Sequence, residues 1–107
     1  MTHYYEKYYY LLRRQDGFCP IAKMEGWADS PTELHHRLHN TKVNRRKYPL
    51  LIDSVWNLVA VAHWAHIKHP SWGKMTYLEA AKRQAFLERH PCIAAAVNME
   101  VWDARKS

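Results

Sequence analysis

Three stretches, Thr32-Glu33-Leu34-His35-His36, Asn57-Leu58-Val59-Ala60-Val61-Ala62 and His63-Trp64-Ala65-His66-Ile67-Lys68-His69, decide how the fold is read. The first reads as a strand. In the second, the run 58–62 is short, apolar and partly β-branched, which suits a buried strand. The third has room for two helical turns before Pro70 stops it. The order is therefore strand, strand, helix, with imidazoles arriving from both a strand and a helix. Adjacent strand residues project to opposite sides, so the His35-His36 pair presents one ring to each side.

Working outward, Tyr4, Tyr8, Leu11 and Leu12 fall at i, i+4, i+7 and i+8 and predict a helix over residues 4–15. Asp16-Gly17 ends it, because glycine takes the left-handed conformation that a helix stop requires. Residues 18–24 are short and apolar and read as extended, and residues 26–31 read as turn. From 34 to 52 there is no acid, while Arg37, Lys42, Arg45, Arg46 and Lys47 accumulate; that stretch reads as an exposed basic loop. Thr76-Tyr77-Leu78-Glu79 is a capping box that starts a helix running to about Arg89. A last helix takes Pro91 as its first residue and buries Ile93, Val97 and Val101.

The whole, residues 1–107, has room for one compact domain, and with 48% hydrophobic residues it can bury a core, which excludes wholesale disorder. Five Trp and seven Tyr favour packing, and only three Gly argue against a loop-dominated fold. No apolar run is long enough to span a bilayer, and residues 1–10 are too aromatic and polar for a signal peptide, so no membrane partner is expected. Cys19 and Cys92 cannot form a disulfide framework; they read as small core fillers in a reducing cytosol. Sixteen Lys and Arg against ten Asp and Glu give a net charge of +6, which favours a polyanionic partner. Eight histidines are the least ordinary count, and histidine is both the usual metal ligand and the usual proton carrier near neutral pH. His3, His39 and His90 read as solvated or satisfied in the core. The tyrosines at 4–10 read as core packing rather than as a platform for bases.

The pair His35-His36, then Asn57-Leu58-Val59, then His66 with eight residues between it and Asn57, resembles the HNH family of nucleases, the His-Me finger or ββα-metal fold. The segment Asp16-Gly17-Phe18-Cys19-Pro20-Ile21 is similar to that family's opening segment. The resemblance covers a core of about residues 14–69, roughly half the chain, and leaves outside it the N-terminal helix and a C-terminal helical extension of about 75–104. It implies an α+β fold: a ββα-metal core with a short β-hairpin and a metal-binding helix, flanked by N-terminal and C-terminal helices. Many members hold a structural zinc with two CxxC pairs. Here Cys19 matches the first cysteine, but Ala22, Ala62 and Ala65 stand at the others, so no structural zinc is expected.

The resemblance also implies roles. His35 and His66 would be ligands to one divalent ion, Mg²⁺ or Mn²⁺, with Ni²⁺ or Zn²⁺ able to substitute. His36 would be the general base, and Asn57 would brace the loop that holds it. The third ligand would be His69, one turn beyond His66 and on the same side, with His63, one turn before it, as the alternative. Phosphodiester hydrolysis needs an activated water and stabilised phosphoryl charge, which an imidazole and a metal ion supply. The first expectation is thus an HNH-type endonuclease of low or structure-based specificity acting on double-stranded or branched DNA. Arg37, Lys42, Arg45, Arg46 and Lys47 would meet its phosphates. The resemblance is to small phage or mobile-element proteins working in a bacterial cytoplasm, and a junction-resolving variant would act as a homodimer. The rival reading is a non-catalytic nucleic-acid-binding module on the same fold. A metal-binding or interaction protein without a nucleic-acid role is a third. The retained His36 favours a nuclease, since a binding module needs no base.

Overall fold

The computed structural model describes residues 3–100. In chain order these form α1 (Tyr4–Arg14), α2 (Pro20–Met24), β1 (Glu33–His36), α3 (Lys42–Lys47), β2 (Leu58–Val61), α4 (His63–Lys68), α5 (Tyr77–Arg89) and α6 (Pro91–Val97). The fold is α+β: helices around one two-stranded antiparallel sheet, in which His35 pairs with Val59 and His36 with Leu58.

The pleat sorts the strand residues into two layers. On one side Leu34, Leu58 and Ala60 pack with Leu11 of α1, and Tyr4 and Tyr8 close over them. On the other, Val61 packs with Cys19, Ile21 and Ala22 around α2 and with Ala62 and Ala65 around α4. Cys19, Ala22, Ala62 and Ala65 thus meet in one apolar cluster, completed by Val59 and Trp72. A third cluster joins Leu38, Tyr48, Leu51 and Ile52, from the connection between the strands, to Met75, Ala80 and Leu87 and to Ala94 and Val97. The C-terminal helices therefore support that connection rather than the sheet.

The ends of α1 follow from its sequence. Asp16 (φ 54°) and Gly17 (φ 78°) are both left-handed, and Gly17 N–H reaches the Leu12 carbonyl, which closes a Schellman stop. Gln15 then turns its amide onto β2: its Nε2 donates to the Ala60 carbonyl and its Oε1 accepts from the Ala60 N–H. That side chain completes hydrogen bonds a third strand would otherwise make.

Several expectations change. Residues 18–24 are not extended: Pro20 sits at the first position of α2, where its fixed φ and missing N–H suit a helix start. The basic stretch is not a loop throughout, because Thr41 caps α3 by accepting from Asn44 N–H at 3.1 Å. A cap of that kind contributes about 1 kcal/mol, more than the few tenths lost to like-charge neighbours on the helix. The hairpin is correspondingly not short, since residues 37–57 connect its strands. Thr76 caps α5 through Glu79 N–H, but the Glu79 carboxylate turns to Arg83 at 2.8 Å instead of back to the cap. Of the residues expected to anchor α6, Val97 is buried, Ile93 is exposed and Val101 lies outside the described residues. Cys19 is buried as a core filler, whereas Cys92 is exposed. No helix among the described residues is long and apolar enough to cross a membrane.

Candidate functional site

Asn57 organises the region where the strands meet their long connection. It is fully buried; its Oδ1 accepts from Leu38 N–H at 2.7 Å, and its Nδ2 donates to the carbonyls of Leu38 (3.2 Å) and Ile52 (3.0 Å). Its own carbonyl accepts from Arg37 N–H at 2.9 Å. One side chain therefore ties the first residues of the connection to its last, directly after His36.

The two histidines of β1 diverge, as the pleat requires. His35 faces the α4 layer and is 1% exposed. Its Nε2 lies 2.7 Å from the Trp72 carbonyl, which only accepts, so Nε2 carries the proton and Nδ1 carries the lone pair. Nδ1 is buried and has no hydrogen-bond partner. Burial pushes the His35 pKa down, against the Trp72 hydrogen bond, and the neighbouring His66 and His36 push the same way as burial. The ring of His66, from α4, stands edge-on to His35 with centroids 5.0 Å apart. His66 Nδ1 donates to Glu33 Oε1 at 2.6 Å, which fixes its tautomer and leaves Nε2 as the acceptor.

His36 faces the other way. Its Nε2 donates to Asp53 Oδ1 at 2.9 Å, and Arg45 clasps the same carboxylate in a bidentate pair at 2.9 and 3.0 Å. Burial works against the charge on Asp53, but the hydrogen bonds from His36 and Arg45 outweigh it and hold the carboxyl well below the usual range. Lys7 of α1, itself only 1% exposed, adds a further cation: burial pushes its pKa down and the Asp53 charge opposes that shift. With Nε2 donating to Asp53, Nδ1 is the lone-pair nitrogen of the His36 ring.

His35, His36 and His66 line one cavity of about 390 Å³ together with His39, Asn40 and Pro70. The structure thus brings together both members of the pair and the helix histidine. It does not bring the two remaining ligand candidates there. His69 follows α4 and donates to Glu25 Oε1 at 2.9 Å, beside Lys68 on the same oxygen. His63 is exposed and bonds Glu33 Oε2 at 3.1 Å. Hydrogen bonds from Lys68 and His69 lower the Glu25 pKa; for Glu33, burial opposes ionisation but His63 and His66 prevail. Among the described residues, no group of three His, Cys, Asp or Glu side chains is disposed to hold a metal ion. The cavity is lined by two adjoining imidazoles, each with its other nitrogen engaged by a neighbour, and not by a complete protein cage.

The five expected phosphate contacts also divide. Lys42, Arg46 and Lys47 are exposed on α3. Arg45 is turned inward to Asp53, and Arg37 is half-buried with its Nε on the Gly73 carbonyl at 2.8 Å. His39, read as solvated or core, instead lines the cavity. Asp53 and Glu33 are the side chains of the candidate site that sequence reasoning missed. Asp53 is the first carboxylate after the acid-free stretch, and Glu33 shares a strand face with His35, so both left a signal. The Trp72 carbonyl left none. Comparison with family models, with curated proteins and with solved structures finds no match for this chain.

Proposed function

We propose that this protein is a metal-dependent DNA endonuclease of the HNH, or His-Me finger, kind. The observation that carries this reading is His35 Nδ1, a buried and unpartnered lone pair beside the ring of His66, whose Nε2 is also free to accept. Two neutral imidazoles whose other nitrogens are pinned by a carbonyl and a carboxylate fit a divalent cation such as Mg²⁺ or Mn²⁺. An ion bound by them would neutralise charge on the phosphoryl and leaving oxygens and would keep coordination positions open for water and substrate.

The chain's own groups account for the remaining chemistry. His36 Nδ1 takes the proton of the attacking water as the water oxygen bonds to phosphorus and the ester oxygen departs. Asp53 accepts from Nε2, holds the ring in the tautomer that leaves Nδ1 basic, and stabilises the imidazolium that forms. Arg45 keeps Asp53 ionised and in place. Asn57 fixes the backbone that follows His36, and so the distance between base and ligands. Exposed Lys42, Arg46 and Lys47 supply phosphate contacts without reading sequence, which accords with low or structure-based specificity.

A carboxylate that accepts from His36 Nε2 leaves Nδ1 as the basic nitrogen of the ring, an arrangement suited to proton transfer, and this favours cleavage over the non-catalytic reading. The test is supercoiled plasmid incubated with Mg²⁺, Mn²⁺, Ni²⁺ or Zn²⁺, with and without EDTA. Nicked or linear product that appears only with metal supports the proposal. Plasmid that is retarded on a gel but never cut under any metal overturns it in favour of the binding module.

A further inference from the structure

A second cavity, of about 380 Å³, lies where α1, the end of β1, β2 and α5 meet. Its lining brings together Arg14, Arg37 and Arg83, from three elements far apart in sequence, and contains no acidic residue. Two of these guanidiniums are held by neutral partners. Arg14 Nη1 donates to the Tyr10 hydroxyl at 3.1 Å, and Arg37 uses only its Nε on the Gly73 carbonyl, which leaves both Nη groups unspent. Arg83 gives Nη2 to Glu79 at 2.8 Å, and its Cζ stands over the Trp56 ring, 5.8 Å from the centroid. Three cations thus meet one carboxylate, and the surplus faces a concave space. Guanidinium forks pair with the oxygens of carboxylates and phosphates, and three of them around one concave space suit the greater charge and the several oxygens of a phosphate.

We propose that this cavity is a phosphate-binding site, distinct from the histidine cavity, taking either a backbone phosphodiester or a free phosphate. Arg37 directly follows His36, so a phosphodiester held here belongs to the strand lying across the candidate reactive centre. Only this choice of source rests on the nuclease reading; the oxyanion site itself rests on the three arginines.

The test separates the two. Binding is measured in EDTA, with cleavage silenced, using a fluorescent DNA duplex at several salt concentrations, for the wild type, Arg14→Gln/Arg83→Gln and Arg14→Lys/Arg83→Lys. Loss of two phosphate contacts flattens the plot of log affinity against log salt by about 1.8 units. Between about 50 and 200 mM salt the wild type should therefore lose roughly tenfold more affinity than the glutamine variant. The lysine variant keeps the charge and so the slope, which guards against a folding artefact. In parallel, inorganic phosphate is titrated while the arginine Nε–H resonances are followed by NMR. Perturbation of Arg14, Arg37 and Arg83 that the duplex displaces identifies the backbone as the source. Perturbation that the duplex leaves in place identifies free phosphate, and the site stands. Equal slopes together with unmoved arginine resonances overturn the inference even if plasmid is cut. A protein that binds this way but never cuts overturns the nuclease reading alone.

Discussion

Replacing Asp53 by asparagine tests the arrangement around His36 most directly. The carboxylate accepts three hydrogen bonds, one from His36 and two from Arg45, with a side chain 16% exposed. Hydrogen bonds to charged groups contribute about 1.5–3 kcal/mol each, but Arg45 is 40% exposed and water replaces much of what it loses. A net loss of about 2 kcal/mol follows, which for a domain of this size lowers Tm by roughly 8–16 °C. The effect on rate comes from a different cause. An amide can present its N–H to His36 as readily as its oxygen, and that reverses the tautomer on which a basic Nδ1 depends. General bases contribute about 10²–10⁴-fold, so the variant should cut about 10²-fold more slowly at temperatures where it is folded. Single-turnover cleavage of labelled duplex, with protein in excess, measures this for the wild type, His36→Ala, Asp53→Asn and the double variant. If Asp53 acts through His36, the double variant is no slower than His36→Ala alone. Two losses that multiply, or an Asp53→Asn rate equal to wild type, would refute the mechanism, whatever happens to stability.

Four further outcomes are expected. Asn57→Ala leaves a buried N–H and two carbonyls without partners and should cost about 2–4 kcal/mol, read as a lower urea midpoint with unchanged m; an unchanged midpoint would mean the brace is dispensable. His66→Ala should abolish calorimetric binding of Mn²⁺ or Ni²⁺, while His69→Ala, its ring committed to Glu25, should not; the reverse result would move the ligand site along α4. Because the Asp53 pKa is depressed in the folded protein, its contribution is complete above the unfolded value of about 3.9 and is lost as pH falls through the folded one. Stability measured at pH 5 and pH 3 should therefore drop more for wild type than for Asp53→Asn, and equal drops would rule out this linkage. Lys42→Ala/Arg46→Ala/Lys47→Ala should flatten the salt dependence of DNA binding with little change in Tm. Arg45→Ala should instead lower Tm and cleavage rate together; if Arg45→Ala behaves like the α3 surface triple, the Asp53 clasp has no function.

What could be read in the sequence was whatever periodicity and terminal chemistry express locally. Tyr4, Tyr8 and Leu11 mark the face of α1, Thr76 and Pro91 mark helix starts, and the alternation around His35-His36 separates the rings. Misreadings arose where a local signal was weak against tertiary packing. The five residues of α2 are too few to show a period, and α3 hides inside a charge run because its cap, Thr41, precedes no apolar repeat. Histidines could be ranked by spacing but not by partner. His69 and His66 share a helix side by register, yet Glu25 takes one and Glu33 the other, and those carboxylates reach α4 from either side of the irregular segment 27–32. Asp53 illustrates the same limit. Its spacing from His36 has no periodic meaning, because the connection between the strands is folded by Asn57 and by apolar packing against α5 and α6. The C-terminal helices, which carry none of the histidines in the cavity, thereby set where the carboxylate beside His36 stands.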